Sequence, residues 1–589
     1  MTARKKTALR TVDPLAPVSA DARIYEDEQG VVWHFMLNFT NLSFGTYGNN
    51  KFYMMQLIQD GDHYKVFRKW GRVGAKTPQR ALEGHGKSLA KALASFQNKF
   101  LAKSGNEWPL PASGFEQVPG KYVLVALDDE EEIVDEEDDL GDGATPNGSK
   151  ANWESAAPST LHAHVQDVLK LICDADLIEK EVAAMKLDLK RLPLGRLSKT
   201  QISQGYTLLE KMATTVTEMA GLTAQDEQPT QEEAETTAQN ISQQETTTAM
   251  STRRTRRSGA TPVPVAPRRS TRPRRTAPAR DKRLRQLKDQ LKALSGEFYS
   301  LIPHDFGRAL PPVIDSLDEI KLKIDLLEVL ADIEISQKLQ RERRRAASST
   351  PSDGAAVHPL DAQYNLLGVD LEPLAESEPD FAVLRQYVET THAPTHIQYK
   401  LRIRSILKLR RPEEDAFAST HESVSNHQLL WHGSRLCNVV GILAKGLRVA
   451  PPEAPTNGYM FGKGIYFADS VSKSANYCWA TPEQPRGVLL LADVALGSTL
   501  PALEAIDMDY DKLQRTHGCH SLHGLGRMAA PAESHLKMQD GVLVPVGEFE
   551  PTGVEGGELL YNEYVVYRRE QVRLRYLVAL DFVYDGDEE

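Results

Sequence analysis

The stretch Leu429-Leu-Trp-His-Gly-Ser434, with Gly458-Tyr-Met-Phe-Gly-Lys-Gly-Ile-Tyr-Phe-Ala-Asp469 and Leu560-Tyr-Asn-Glu-Tyr564 downstream, decides how the last third of the chain folds. Residues 428–431 read as a short strand. Ser434 is the expected cap of a helix with Leu436, Val440 and Leu443 on one face and Gly446 as its end signal. His432 and Gly433 then fall at a strand-to-helix junction, where a backbone without a side chain comes close to a ligand. A histidine in such a turn is by itself more often structural than catalytic.

The second segment interleaves Gly458, Gly462 and Gly464 with Tyr459, Phe461, Tyr466 and Phe467 and lacks the Gly-Lys-Ser/Thr ending of a phosphate-cradling loop. It suits a loop that presents aromatic faces to a flat ligand. Asp469 or Ser470 should cap a following helix that places Ser474 and Tyr477 three residues apart on one face, where a hydroxyl and a ring can grip an aromatic carboxamide. Core packing alone accounts for Tyr477 equally well. In the third segment, residues 559–568 and 571–583 read as a strand pair. Tyr561, Glu563 and Val565 share a face there, which puts a carboxylate between apolar neighbours. Such burial costs several kcal/mol unless compensated, so Glu563 is either functional or a paired structural acid. One histidine, aromatic faces, glycines and one carboxylate are the parts needed to hold a dinucleotide and break a glycosidic bond.

Outward from this region, 589 residues exceed a single core of usual size, and three folded units are expected. Residues 1–21 form a basic N-terminus expected to be disordered. Over 22–126 the pattern has period two, with Trp33, Phe35, Leu37 and Phe39 on one face and His34, Met36, Asn38 and Thr40 on the other. Strands at 51–59 and 64–73 precede a helix carrying Leu89, Leu93, Phe96 and Phe100. An acidic linker, 127–157, holds Asp128 to Glu132 and Asp135 to Asp139, either a solvated run or a set of modification acceptors. Residues 158–340 have helical period through Leu161, Val165, Val168 and Ile172, then Leu287, Leu291, Leu294, Phe298 and Leu301, then a helix over 316–339 entered by the capping signal Ser316-Leu-Asp-Glu319. An insertion at about 220–282, ending in arginines from Arg253 to Arg280 among prolines, should be disordered. Those arginines suit nuclear import, a phosphate-binding arm or a merely solvated tail. A linker, 341–356, leads to the final unit, 357–589.

Lys+Arg 70 against Asp+Glu 81 gives a net charge of -11, which argues against a wholly basic nucleic-acid coat. Cys173, Cys437, Cys478 and Cys519 form no CxxC pair, so neither a zinc module nor a disulfide framework is expected and no metal is assigned. No apolar stretch reaches the roughly 18 residues needed to span a membrane, and a soluble intracellular protein is expected.

The three catalytic-region segments together resemble the ADP-ribosyltransferase domain of the poly(ADP-ribose) polymerase family, in its His-Tyr-Glu version. Leu430-Trp-His-Gly-Ser-Arg435, Gly446-Leu-Arg-Val-Ala-Pro-Pro-Glu-Ala-Pro455 and Gly458 to Cys478 follow the family pattern almost unbroken. The resemblance implies that His432, Tyr466 and Glu563 are catalytic and that NAD+ is the substrate. It implies that Gly433 and Ser474 hold the nicotinamide amide, that Tyr477 stacks on its ring, and that Ser434, Asn438, Gly441 and Arg448 line the rest of the site with His432 and Tyr466. Leu192-Pro-Leu-Gly-Arg-Leu-Ser-Lys199 and Leu301-Ile-Pro-His-Asp-Phe-Gly307 resemble the family's regulatory domain, which in relatives covers the NAD+ site until DNA binding loosens it.

Lys69-Trp-Gly-Arg-Val-Gly74, with Asn49-Asn-Lys-Phe-Tyr53 and Pro119-Gly-Lys-Tyr122, resembles the WGR domain, which implies DNA-end contacts by Asn50, Arg68, Trp70, Arg72 and Tyr122. The expected fold is therefore multidomain: a small β-rich WGR domain, an all-α regulatory bundle and an α+β ADP-ribosyltransferase domain, as in the DNA-dependent members without zinc fingers. The implied function is a nuclear, DNA-break-activated transfer of ADP-ribose from NAD+ to protein side chains, its own included. Mono- versus poly-ADP-ribosylation stays open. The competing readings are a DNA-end-binding scaffold with a spent catalytic fold and a transferase indifferent to DNA.

Overall fold

The computed structural model describes residues 11–46, 48–75, 77–111, 114–125, 158–185, 199–224, 278–331, 358–451, 453–454 and 459–584. The expected acidic linker, the second linker, most of the arginine-rich insertion, positions 332–339 of the third helix and Gly458 lie outside these residues.

The N-terminal unit is one antiparallel sheet in the order Gln79–Gly84, His63–Arg72, Asn49–Asp60, His34–Asn41, Val123–Leu124, with Arg23–Ile24 added on Asn49–Asp60. The helix Leu89–Ser104 lies across one face, burying Ala92, Phe96 and Phe100 against Trp33, Phe35 and Leu37. Its ends follow local chemistry: the Ser88 side chain accepts from Lys91 N, and Gly105 takes the left-handed conformation, φ 79°, that closes it. Residues 11–21, expected to be an unstructured arm, instead run along the other face. Val12, Ala16 and Val18 pack on Met54, Ile58 and Phe67, and Asp13 pairs with Lys69, so short apolar residues and one ion pair hold the segment.

The polar face of the strand His34–Asn41 is not solvated. Asn38 and Thr40 are buried, Asn38 Nδ2 donating to the carbonyls of Tyr299 (2.9 Å) and Ser300 (3.2 Å), and Thr40 N donating to Ser300 Oγ (2.7 Å). An amphipathic strand reads the same in sequence whether its polar side meets water or another domain's backbone.

The helical unit is built from Ala163–Ile172, Ala175–Ala184, Lys199–Ala224, Pro278–Leu301 and a helix over 317–331. The helices on either side of the insertion thus reach Ala224 and start at Pro278, inside the boundaries expected from composition. The first helix belongs to the core of the last unit: Val165, Val168, Leu169 and Ile172 pack among Leu360, Leu430, Val440 and Leu490.

The last unit has two main sheets. Seven strands run in the order Leu536–Lys537, Leu543–Val544, His427–Gly433, Arg486–Ala495, Val572–Tyr584, Tyr399–Arg410, Asp370–Pro373; four run Ile465–Phe467, Glu563–Val566, Ser521–Gly524, Thr499–Ala502; Met528–Ala529 pairs with Glu550–Pro551. Two expectations change here. Glu563–Val566 and Val572–Tyr584 are not partners, because the short 3-10 turn Arg569–Gln571 carries the chain from one sheet to the other. The helix Leu436–Lys445 has Arg435 at its cap position rather than Ser434, and no side chain caps it. Ser434 Oγ instead accepts from Asn438 Nδ2 (3.0 Å). No helix among the described residues is long and apolar enough to cross a membrane.

Candidate active site

The two sheets touch through one backbone bridge, and the site forms there. Trp431 N donates to Ala468 O (2.9 Å) and Ala468 N to Trp431 O (3.0 Å), which sets His432 beside the strand Ile465–Phe467. That strand pairs in turn with Glu563–Val566, Tyr466 facing Val565 and Phe467 facing Tyr564. His432, Tyr466 and Glu563, separated by as much as 131 positions in sequence, thereby line one cavity of about 840 Å³. That volume is in the range of about 300–1,000 Å³ usual for ligand pockets.

Each of the three is held by backbone or charge. His432 Nδ1 contacts Tyr466 O at 3.0 Å, and burial pulls its imidazole below the usual value, so the ring is neutral near pH 7. Tyr466 Oη donates to Gly462 O (2.7 Å) and accepts from Phe461 N (3.0 Å), and burial raises its phenol. Glu563 projects into the cleft because its neighbours Asn562 and Tyr564 point the other way, both donating to Asp469 Oδ2 (2.7 and 3.4 Å). Its carboxylate meets Lys473 Nζ at 3.2 Å, and that ammonium also donates to the carbonyls of Tyr561 (2.9 Å) and Asn562 (3.1 Å). Glu563 is thus a paired acid, the alternative the sequence left open, and it also opens onto the cavity.

Beside the triad is a narrow slot. Ser474 Oγ donates to Trp431 O (3.2 Å), which leaves its lone pairs as acceptors. A Cβ on Gly433 would lie 1.8 Å from Ser474 O, so only glycine lets the two segments approach this closely. The helix carrying Ser474, Val471–Ala475, is capped by Ser470, whose side chain accepts from Lys473 N (3.2 Å). Tyr477 follows on the short turn Asn476–Cys478, 42 % exposed with its ring at the cavity edge.

His432, Gly433, Ser434, Asn438, Arg448, Tyr466, Ser474, Tyr477 and Glu563 all line the cavity. Gly441 does not: it is buried in the helix one turn from Asn438 and Lys445, and without a side chain it does not reach the cavity. Sequence reasoning missed Lys473, whose partner is 90 residues away, and the opposite wall, where Lys321, Asp325 and Glu328 enter from the helix over 317–331. Lys321 Nζ lies 5.5 Å from the centre of the Tyr477 ring. Burial works against that ammonium, but Tyr477, Asp325 and Glu563 together hold its pKa above the ordinary value. Tyr459 Oη donates to Glu328 Oε1 (3.1 Å) and its ring stacks on Tyr466 at 6.0 Å. The signal was present as the spacing 321, 325, 328, a polar stripe at i, i+4, i+7 that reads as a solvated helix face.

The residues expected to meet DNA divide. Asn50 is fully buried, Nδ2 donating to His304 O (2.9 Å), and Arg72 donates to Gly307 O (2.6 Å), Ala309 O (2.7 Å) and Gly48 O (3.4 Å). Both side chains join the N-terminal unit to the helical one, because the carbonyls of His304, Gly307 and Ala309 lie against that end of the sheet. Arg68 pairs with Glu83 (3.2 Å), Trp70 stacks on Tyr53 (6.1 Å), and Tyr122 carries Lys103 Nζ over its ring at 5.5 Å.

The sequence matches three family models: "Poly(ADP-ribose) polymerase catalytic domain" over residues 378–582, "Poly(ADP-ribose) polymerase, regulatory domain" over 159–364 and "WGR domain" over 33–115. Poly [ADP-ribose] polymerase 2 of Homo sapiens is 37% identical over 577 residues, 97% of this chain and 83% of the relative. The chain belongs to the poly(ADP-ribose) polymerase family. Poly [ADP-ribose] polymerase 2 of Arabidopsis thaliana is 32% identical over 99% of this chain and 78% of its own length. Poly [ADP-ribose] polymerase 1 of Xenopus laevis is 35% identical over 92% of this chain and 45% of its own length. As a poly(ADP-ribose) polymerase the chain has the WGR, regulatory and catalytic architecture and is an NAD+ ADP-ribosyltransferase.

Proposed function

We propose that the chain transfers ADP-ribose from NAD+ to side chains of proteins, itself included, when its WGR domain engages a DNA break in the nucleus. The observation that carries this reading is the single cavity with Glu563, His432, Tyr466 and the Gly433–Ser474 slot on one wall and Lys321, Asp325 and Glu328 of the helical domain on the other.

The slot accepts the carboxamide of nicotinamide, with the Gly433 backbone and Ser474 Oγ as hydrogen-bonding partners and Tyr477 stacked on the ring. Ser434, Asn438 and Arg448 hold the remainder of the dinucleotide. Nicotinamide in NAD+ is already a cationic leaving group, so its departure needs no general acid. It takes the electron pair of the glycosidic bond, and positive charge develops on the ribose. Glu563 is fixed by Lys473 where it stabilises that charge and accepts a hydrogen bond from the incoming acceptor hydroxyl. Neutral His432 and buried Tyr466 orient the ribose and ring.

The helical domain acts as a lid: Lys321 occupies the face of Tyr477 on which nicotinamide would stack. The buried bonds from Asn38, Thr40 and Asn50 to residues 299–304, with the exposed bonds from Arg72 to Gly307 and Ala309, give the DNA-binding unit a mechanical hold on that lid. Arg68, Trp70 and Tyr122 contact the DNA end. The test is incubation of purified protein with labelled NAD+, with and without nicked or blunt-ended DNA, and separation of products by size. DNA-dependent label supports the reading, a ladder indicating polymer and one band a single adduct. No label under any condition points to a scaffold, and equal label without DNA to an unregulated transferase.

A further inference from the structure

At the far end of the strand that carries His432, three metal-binding side chains converge outside the NAD+ cavity. His421 comes from the short helix Ala418–Ser423, His427 opens the strand His427–Gly433, and Asp493 sits on the neighbouring strand Arg486–Ala495. One ligand atom from each lies within 4.8 Å of the other two, in the one such group among the described residues. His427 Nδ1 is 2.8 Å from Asp493 Oδ1, and His421 Nε2 is 3.8 Å from the same oxygen. A tetrahedral centre with ligands at about 2.0–2.2 Å sets its ligand atoms roughly 3.4 Å apart, and these two separations bracket that value. The two imidazoles are 4.6 Å apart and inclined at 72°, so their nitrogens approach a common point without the rings colliding.

The surroundings leave the carboxylate available. Arg573 faces Asp493 across the sheet, but its guanidinium is engaged by Asp415 Oδ1 (3.5 Å). Arg575, the other nearby cation, is held by Asp540 Oδ2 (2.6 Å). His421 and Asp493 are buried, whereas His427 is half-buried, so the cluster is open to solvent on the His427 side. We propose that His421, His427 and Asp493 bind a zinc-class divalent cation, with two neutral imidazoles and one carboxylate as ligands and a fourth position left to water. His432 is five residues along the strand, roughly 17 Å away at about 3.4 Å per residue, so the ion touches no substrate. It fastens the 418–423 helix to the sheet. In the arrangement without the ion, protons on His427 Nδ1 and on His421 Nε2, which also contacts Asp493 O at 3.1 Å, hold the cluster together.

The test uses full-length protein stripped with a chelator and titrated with Co2+, then with Zn2+. The expected result is one Co2+ per chain with the visible absorption of a four-coordinate centre, displaced by Zn2+, and a rise in melting temperature with Zn2+. His427→Gln should bind at least tenfold more weakly and lose the Zn2+-dependent rise, and Asp493→Asn should do the same if it folds. Because His427 is half-buried at the edge of the cluster, its variant decides the matter even if the aspartate variant does not fold. Absence of the four-coordinate spectrum, or Co2+ affinity and melting shift unchanged in His427→Gln, overturns the proposal and leaves a hydrogen-bonded cluster only.

Discussion

Replacing Lys321 by Met removes one positive charge from the NAD+ cavity while keeping an apolar stem of similar length. In the closed arrangement its ammonium sits 5.5 Å from the Tyr477 ring centre, near Asp325 and Glu563. A cation over a ring at an exposed position contributes about 0.5–1 kcal/mol. If that energy belongs to the closed state alone, losing it multiplies the fraction of open, NAD+-competent protein by roughly two to five. Asp325, whose carboxyl burial pushes up and Lys321 offsets, would lose its largest compensating charge, which acts in the same direction. The assay is the initial rate of automodification at subsaturating NAD+ without DNA and with saturating nicked DNA. The DNA-free rate should rise about two- to fivefold and the DNA-saturated rate change less than twofold, since DNA has already displaced the lid. A DNA-free rate that stays level or falls would refute the assignment of Lys321 as part of the lid.

Gly433→Ala places a Cβ 1.8 Å from Ser474 O, so the slot must open; activity should drop by about 10²-fold or more through misplacement of substrate, read as a fall in kcat/KM for NAD+. Arg72→Ala removes two close bonds to the 307–309 carbonyls without touching Arg68, Trp70 or Tyr122. It should bind nicked DNA within about threefold of wild type by fluorescence anisotropy yet lose most of the stimulation by DNA. Burial lowers the pKa of His432, His396, His421 and His523 below the ordinary 6.5, so the unfolded chain binds more protons than the folded one as the solution is acidified. Stability from these groups is full above pH 6.5 and is lost as pH falls below it; melting temperature should therefore drop between pH 6.5 and 5.5, where most carboxylates are still ionised. A flat melting temperature over that interval would contradict this.

How much of this could be read in the sequence depended on how local the determining interaction was. Alternation over Trp33, Phe35 and Leu37 and the i, i+4, i+7 spacing of Leu89, Leu93 and Phe96 report burial within one element, and the strand and helix are where they place them. The helix start at Ser470 was equally local, but His432 and Gly433 belong to the strand His427–Gly433 rather than to a turn after it, and Tyr477 lies on the 3-10 turn that follows the helix carrying Ser474. What escaped was decided across sheets or domains. Glu563 reads as a carboxylate among apolar residues, but its countercharge, Lys473, stands on a helix 90 positions away, and only the assembled fold brings the two together. Asn50 and Arg72 have the residue types of a DNA contact, and nothing in their own strands says that backbone carbonyls from 304 to 309 occupy them first. Lys321, Asp325 and Glu328 form a polar stripe that a helix on the surface would also carry; the stripe faces a cavity because the apolar side, Ile320, Ile324 and Leu327, is taken up by the other helices. The strand pairing proposed for residues 559–583 failed because adjacency in sequence favours a hairpin, whereas the turn at 569–571 sends the second strand into the other sheet.

In the proposed mechanism Glu563, held by Lys473, stabilises charge developing on the ribose. The most direct measurement is the single-turnover rate of nicotinamide release by Glu563→Gln on saturating nicked DNA, alongside its dissociation constant for a non-hydrolysable NAD+ analogue. Glutamine keeps an oxygen for Lys473 Nζ and removes only the charge. The expected result is a rate at least 10²-fold slower with binding within about threefold of wild type. A rate within fivefold of wild type, or a loss confined to binding, would contradict it.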